Sequence, residues 1–203
     1  MRSPSLPRRR LIGAGLAALS GMLARRQDEA EAAGERPIAL AIAAIDIVAR
    51  VEVLTTVDGK MQDPTTPWIV AWYDDSAPPG TGSNAVFAGH VSTPEGEPAI
   101  FARLGELRRG DEVIVLCRGG KRYRYRVMWA RAYSAERSAT WVELTGPADG
   151  EVVTLITCAG AWDAAAGTYR ERLVVRAALV TTPEPGEVPA RPRGSAEGVG
   201  GTG

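Results

Sequence analysis

The 203-residue sequence predicts a mainly β domain, and three observations carry that reading. First, its apolar residues fall in short runs rich in β-branched and aromatic side chains, separated by turn-forming residues among 23 Gly and 14 Pro. Second, Tyr123, Tyr125, Val127 and Trp129 alternate with Arg122, Arg124, Arg126 and Met128, the period of a strand with one face buried. Third, Val152-Val153-Thr154-Leu155-Ile156-Thr157 is apolar or Thr on both faces, as a central strand covered on both sides requires.

Taken in order, residues 1–35 read as a signal peptide or short membrane anchor with its linker. Arg8-Arg9-Arg10 precede an apolar stretch from Leu11 to Ala24, and Arg25-Arg26 follow. About fourteen helical residues span only ~21 Å, short of the ~30 Å of a bilayer core, which suits an export signal better than a stable span. Arg8-Arg9 with Leu11-Ile12 is similar to a twin-arginine signal, and Ala30-Glu31-Ala32 offers a cleavage triplet. The denser arginines ahead of the apolar stretch put the body of the chain outside the cytoplasm. Residues 38–57 are rich in Ile and Val but carry Asp46, Arg50 and Glu52, which predicts one or two strands rather than a membrane span.

Further strands are predicted at Trp68–Tyr73, Ala85–His90, Glu112–Cys117, Tyr123–Ala132, Glu151–Cys158 and Arg172–Val180. A short helix is predicted over Pro98–Leu107 from the spacing of Ile100, Leu104 and Leu107. Thr181–Gly203, rich in Pro and Gly and without large apolar residues, reads as a flexible tail.

Lys+Arg and Asp+Glu both number 24, so no global basic field draws the chain to nucleic acid. Six of the basic residues and only two of the acidic ones lie within residues 1–30, leaving the folded part mildly acidic. Two cysteines, Cys117 and Cys158, are too few for a disulfide framework. No His/Cys cluster has metal-ligand spacing and no glycine loop matches a phosphate cradle, so neither metal nor cofactor is expected.

Chemistry concentrates on Cys158, which closes the apolar run at 152–157, on the single histidine, in Ala88-Gly89-His90, and on arginines beginning the last run. A thiol needs a base or a cation to become thiolate, and the oxyanion formed by its attack needs a donor to hold it. Arg170 and Arg172 lie two apart and would share a strand face, so periodicity cannot choose between them; Arg176 would sit deeper on that face.

Thr157-Cys158, Gly89-His90 and Arg172 in this order resemble the sortases, cysteine transpeptidases of the bacterial cell surface. The resemblance takes in Pro37-Ile38 to Val51, Gly59-Lys60-Met61 with Pro64, Trp72-Tyr73, Pro79-Gly80 and Gly82-Ser83-Asn84-Ala85-Val86. It continues through Phe101, Leu104, Leu107, Gly110-Asp111 and Tyr125-Arg126-Val127, and so covers residues 36–180. Trp72-Tyr73 is similar to the classes of actinobacteria and related lineages.

The resemblance implies a closed β-barrel of about eight strands with one or two short helices. It implies that Cys158 attacks a peptide carbonyl in an LPXTG-like sorting signal. His90 would move the protons, Arg172 would hold the carbonyl oxygen, and Thr157 would support the site. Leu173-Val174-Val175, matching the family's last strand, favours Arg172 over Arg170. The implied partners are surface proteins or pilins bearing the signal, an amine of the cell wall or a pilin lysine, and the membrane through the N-terminus. The segment between Cys158 and Arg172 lacks the acidic cluster of calcium-binding members.

Two other readings stand beside this one. A cysteine peptidase that only hydrolyses needs the same residues. An exported, non-catalytic β domain would join Cys117 to Cys158 in a disulfide. A Ser-His-Gly-Cys pattern, which an L,D-transpeptidase would carry, does not occur.

Overall fold

A computed structural model describes residues 36–136 and 138–185. The export segment expected over residues 1–35 lies outside them. The described residues form ten strands: β1 (Pro37–Ile42), β2 (Ile47–Leu54), β3 (Thr56–Val57), β4 (Lys60–Met61), β5 (Val70–Tyr73), β6 (Asn84–Ala88), β7 (Glu112–Cys117), β8 (Lys121–Ser134), β9 (Val152–Asp163) and β10 (Thr168–Pro185). Eight of them close into a barrel in the order β1-β2-β5-β6-β9-β10-β8-β7, while β3 and β4 pair separately. The neighbours are antiparallel except β2–β5 and β6–β9, which run parallel. Closure leaves the barrel no free edge.

The interior is filled by alternate residues of each strand, among them Leu40, Ile42, Val70, Phe87, Val115, Tyr125, Val153 and Leu155. Phe101, Leu104 and Leu107, from the connection between β6 and β7, belong to the same core. A second cluster packs on the outer face of β5, β6, β9 and β10, where Tyr73, Val86, Ile156 and Val174 meet Leu144 of helix α1 (Ser138–Thr145). This two-sided cover explains why residues 152–157 carry no polar face. The Asn84 amide donates to the carbonyls of Leu144 and Gly146 at 3.0 and 2.9 Å, and Arg176 reaches Leu144 O at 2.6 Å. Those bonds satisfy carbonyls that a helix end leaves open, and they fasten α1 to the barrel.

Several boundaries differ from those the sequence predicts. Pro98–Leu107 is not an α-helix but a chain of tight turns ending in a 3-10 turn, Leu104–Glu106. Its amides bond three residues back, as Leu104 N to Phe101 O, while Ile100 N and Phe101 N go to Pro67 O and His90 O. From Ala102 on, amides that an α-helix would send four residues back reach only three, as Ala102 N to Ala99 O. β9 continues five residues past Cys158, and β10 begins four residues before Arg172. At its other end β10 runs to Pro185, so the tail expected over Thr181–Gly203 begins as strand, with Thr181 and Glu184 paired to Arg124 and Arg122 of β8; residues 186–203 lie outside the described residues. Cys117 and Cys158 are not bonded to each other: Cys117 is buried on β7 and Cys158 is half-buried on β9, with β10 and β8 between them.

The Glu151 carboxylate, just ahead of β9, ties three segments together. It accepts the Gly80 amide at 2.7 Å, the Gly82 amide at 2.5 Å and the Tyr125 hydroxyl at 2.7 Å. Burial and the adjacent Glu151 charge hold the Tyr125 hydroxyl far above the ordinary tyrosine range, so it acts as a donor throughout. Glu151→Ala strands that buried hydroxyl and should cost on the order of 2 kcal/mol, seen as a melting temperature lower by about 4–8 °C. Tyr125→Phe should cost less, because Glu151 keeps both backbone donors; thermal melts of the two variants check the order.

Candidate active site

Pairing registers bring the three predicted side chains together. In the parallel β6–β9 pair, Asn84 lies opposite Val152 and Ala88 opposite Ile156. Past the end of β6 the same offset persists: Gly89 N donates to Ile156 O at 3.1 Å, and the Thr157 hydroxyl donates to Gly89 O at 2.8 Å. One residue further along each strand come His90 and Cys158. On the other side of β9, Cys158 is the direct antiparallel partner of Arg172 on β10. His90, two residues past the end of β6, is thus in line with Cys158 on β9 and Arg172 on β10.

Gly89 makes the histidine's position possible. A Cβ there would lie 2.6 Å from Cδ2 of Phe101, inside van der Waals contact with a buried core ring. Thr157 is itself buried, and its hydroxyl ties the residue before the cysteine to the residue before the histidine. That bond gives its supporting position a physical content.

Arg170 and Arg172 part company at a β-bulge. The register slips between Tyr169, opposite Trp162, and Glu171, opposite Ala159, with the extra residue on β9. Gly160, in the slipped stretch, has a φ of +73°, the left-handed geometry a bulge of this kind draws on. Arg170 turns outward to Asp163 at 3.2 Å. Arg172 turns into the site, where Nη1 donates to the Tyr169 and Glu171 carbonyls at 2.8 and 3.0 Å and Nη2 to the Thr168 hydroxyl at 3.1 Å. An arginine carries five N–H donors, and these contacts use three. Arg176, further along β10, reaches the end of α1 rather than the site.

Two clefts meet at this row. One, of about 640 Å³, runs between the 63–67 and 90–96 loops and the β9–β10 hairpin, with Trp162 and Tyr169 on its wall. The other, of about 890 Å³, runs beside α1 over Met61, Val86, Ala88, Trp141 and Ile156, with Lys60, Asp75 and Glu136 also on its lining. Asp63, Pro64, His90, Cys158 and Arg172 line both. The Cys158 thiol is pushed above the ordinary thiol range, chiefly by burial; the Arg172 guanidinium opposes that shift and the Asp63 carboxylate adds to it. A thiol so placed is largely protonated at neutral pH, and a neighbouring base is what would free its sulfur. His90 Nε2 stands 2.9 Å from the Pro64 carbonyl.

The sequence carried no signal for that carbonyl, for the Trp162–Tyr169 edge contact at 5.2 Å, or for the Ser92–Tyr169 hydroxyl pair at 2.9 Å. Each depends on how loops meet rather than on residue type. Among the described residues no group of three or more His, Cys, Asp or Glu side chains is disposed to hold a metal ion. None of the described helices is long and apolar enough to cross a membrane.

Solved structures resemble this barrel closely enough to share its fold. Sortase A of Listeria monocytogenes superposes with a TM-score of 0.55 at 18% identity, over 71% of this chain and 88% of that one. A lid mutant of sortase A from Corynebacterium diphtheriae does so with 0.55 at 24% identity, over 72% of each. Sortase C of Streptococcus pneumoniae gives 0.56 at 19% identity, over 74% of this chain and 69% of that one. No curated protein sequence matches the chain. The Sortase domain family, in contrast, matches residues 40–180, from within β1 into β10 and across His90, Cys158 and Arg172. The chain belongs to the sortase family.

Proposed function

We propose that this transpeptidase acts through a thioester on Cys158, cleaving an LPXTG-like sorting signal and passing the acyl group to an amine of the cell wall or of a pilin. The observation that carries the reading is the row itself: thiol and guanidinium on adjacent strands and the imidazole just past a third, at the meeting of two clefts. Cys158 gives its proton to His90 as Sγ adds to the scissile carbonyl carbon, and Arg172 offers its remaining donors to the oxygen that becomes negative. Collapse breaks the C–N bond while His90 gives a proton to the departing amine. The incoming amine then adds to the thioester carbonyl, His90 takes its proton, and the C–S bond breaks to return the thiol. A thioester retains acyl reactivity, so no nucleotide is consumed.

The cleft beside α1 suits the acyl side of the signal, because its Met61, Val86, Trp141 and Ile156 offer surface to aliphatic side chains. The cleft lined by Trp162 and Tyr169 would then admit the amine. The arginine-flanked apolar segment at residues 8–26 supports work outside the cytoplasm, on the membrane or exported from it.

The test is to incubate the protein with a library of LPXTG-like peptides, with and without triglycine, and to follow products by mass spectrometry. The expected result is an acyl adduct on Cys158 and a peptide joined to triglycine. Hydrolysed peptide with no ligated product at any triglycine concentration would instead make the protein a peptidase.

A further inference from the structure

His90 is held from behind by a loop that has its own anchor, and we propose that Glu52 is the residue that positions it. A carbonyl oxygen can only accept, so the 2.9 Å contact between His90 Nε2 and Pro64 O requires the hydrogen to sit on Nε2. That leaves Nδ1 as the basic nitrogen, and the proton that moves during the reaction is carried there. Pro64 is buried, yet it lies between exposed residues and has no side-chain polar group by which to be held. The neighbouring residue supplies the grip. Glu52, on β2, accepts the Thr65 amide at 2.7 Å with one carboxylate oxygen and the Thr65 hydroxyl at 2.8 Å with the other.

This two-point clamp joins a barrel strand to the residue directly after Pro64. The residue ahead of Asp63 is also held, since the Tyr73 hydroxyl donates to Gln62 O at 2.5 Å. Between these two anchors the Pro64 carbonyl has little freedom to leave the imidazole. Asp63 and Pro64 also line both clefts, so the wall that divides them is the same wall that orients the histidine. Glu52 lines neither cleft, and its influence on the reaction passes through Thr65 and Pro64 to His90. The inference rests on His90 serving as the acid–base group.

His90 is the chain's single histidine, so the imidazole nitrogen signals in a ¹⁵N–¹H spectrum are unambiguous. The expected spectrum of the resting protein is that of the Nε2–H tautomer. In Glu52→Ala that preference relaxes toward a mixture, and turnover falls on the order of 10–100-fold in kcat, with KM and melting temperature little changed. Glu52→Gln, which can still accept the Thr65 amide and donate to its hydroxyl, restores both tautomer and rate. Thr65→Val, which loses only the hydroxyl bond, should fall between and serves if Glu52→Ala is unstable. Wild-type protein carrying its hydrogen on Nδ1, or imidazole signals in both Glu52→Ala and Thr65→Val that match wild type, would overturn the proposal. The imidazole measurement needs no substrate, so a wild-type protein without transpeptidation would sink the functional reading while the spectrum still decides the role of Glu52.

Discussion

Cys158→Ala is expected to abolish both the acyl adduct and the ligated product, leaving no peptide turnover above the uncatalysed level. The reason is chemical rather than structural. The substitution removes the one sulfur in the row and the only atom there able to form a thioester. A half-buried side chain next to the clefts gives little packing when shortened, so the melting temperature should stay within a few degrees. Cys117 offers no substitute, being enclosed in the core on β7. Cys117→Ala should therefore keep its activity, although it loses some stability. The measurement is intact mass after incubation with peptide, alongside ligation rate. Full turnover by Cys158→Ala would end the thioester mechanism.

Arg172→Ala should lower turnover by about 10²-fold or more, the usual loss when a donor to a developing oxyanion is removed. Arg170→Ala should stay within about 3-fold of wild type, since Arg170 spends its charge on Asp163 at the surface, where such pairs contribute little. Arg172 has a second effect that a pH titration separates from the first. Its guanidinium is what offsets the burial that raises the Cys158 thiol. Without it the folded-state thiol rises further, so the thiolate appears only at higher pH. The rate of Cys158 alkylation, which climbs as the thiol ionises, should shift its midpoint upward in Arg172→Ala and remain in place in Arg170→Ala. Equal losses from both substitutions would assign the oxyanion contact to neither residue alone.

How far the site could be read from sequence depended on what each residue's signal was made of. Cys158 and His90 stood out because rare residue types sat beside a strand-like run and a glycine, and the parallel offset of β6 and β9 then set them side by side. The end of β9 was not legible. Ala159-Gly160-Ala161 lacks the β-branched side chains that mark a strand, but backbone pairing with β10 does not need them and continues to Asp163 opposite Thr168. The choice of arginine was legible only through resemblance, because alternation puts Arg170 and Arg172 on one face; what separates them, the Arg170–Asp163 pair and the Cys158–Arg172 pairing, depends on how β9 and β10 meet. Helix α1 escaped prediction for a related reason. Ser138–Thr145 has β-branched residues and no strong periodicity, and what holds its end is the side chains of Asn84 and Arg176 from distant strands. The barrel, by contrast, was written in the repeated short apolar runs, each of which needed a neighbour on at least one face.

The row of three side chains is assembled from two kinds of strand pairing with very different histories. β9 and β10 are joined by a short turn, so Cys158 and Arg172 can meet as soon as one hairpin zips up. His90 reaches Cys158 only through the parallel β6–β9 pairing, which must close a long loop of chain before any contact rewards it. The thiol therefore acquires its cation early in folding and its base late. Until β6 and β9 pair, the sulfur has a guanidinium within reach but no imidazole to take its proton.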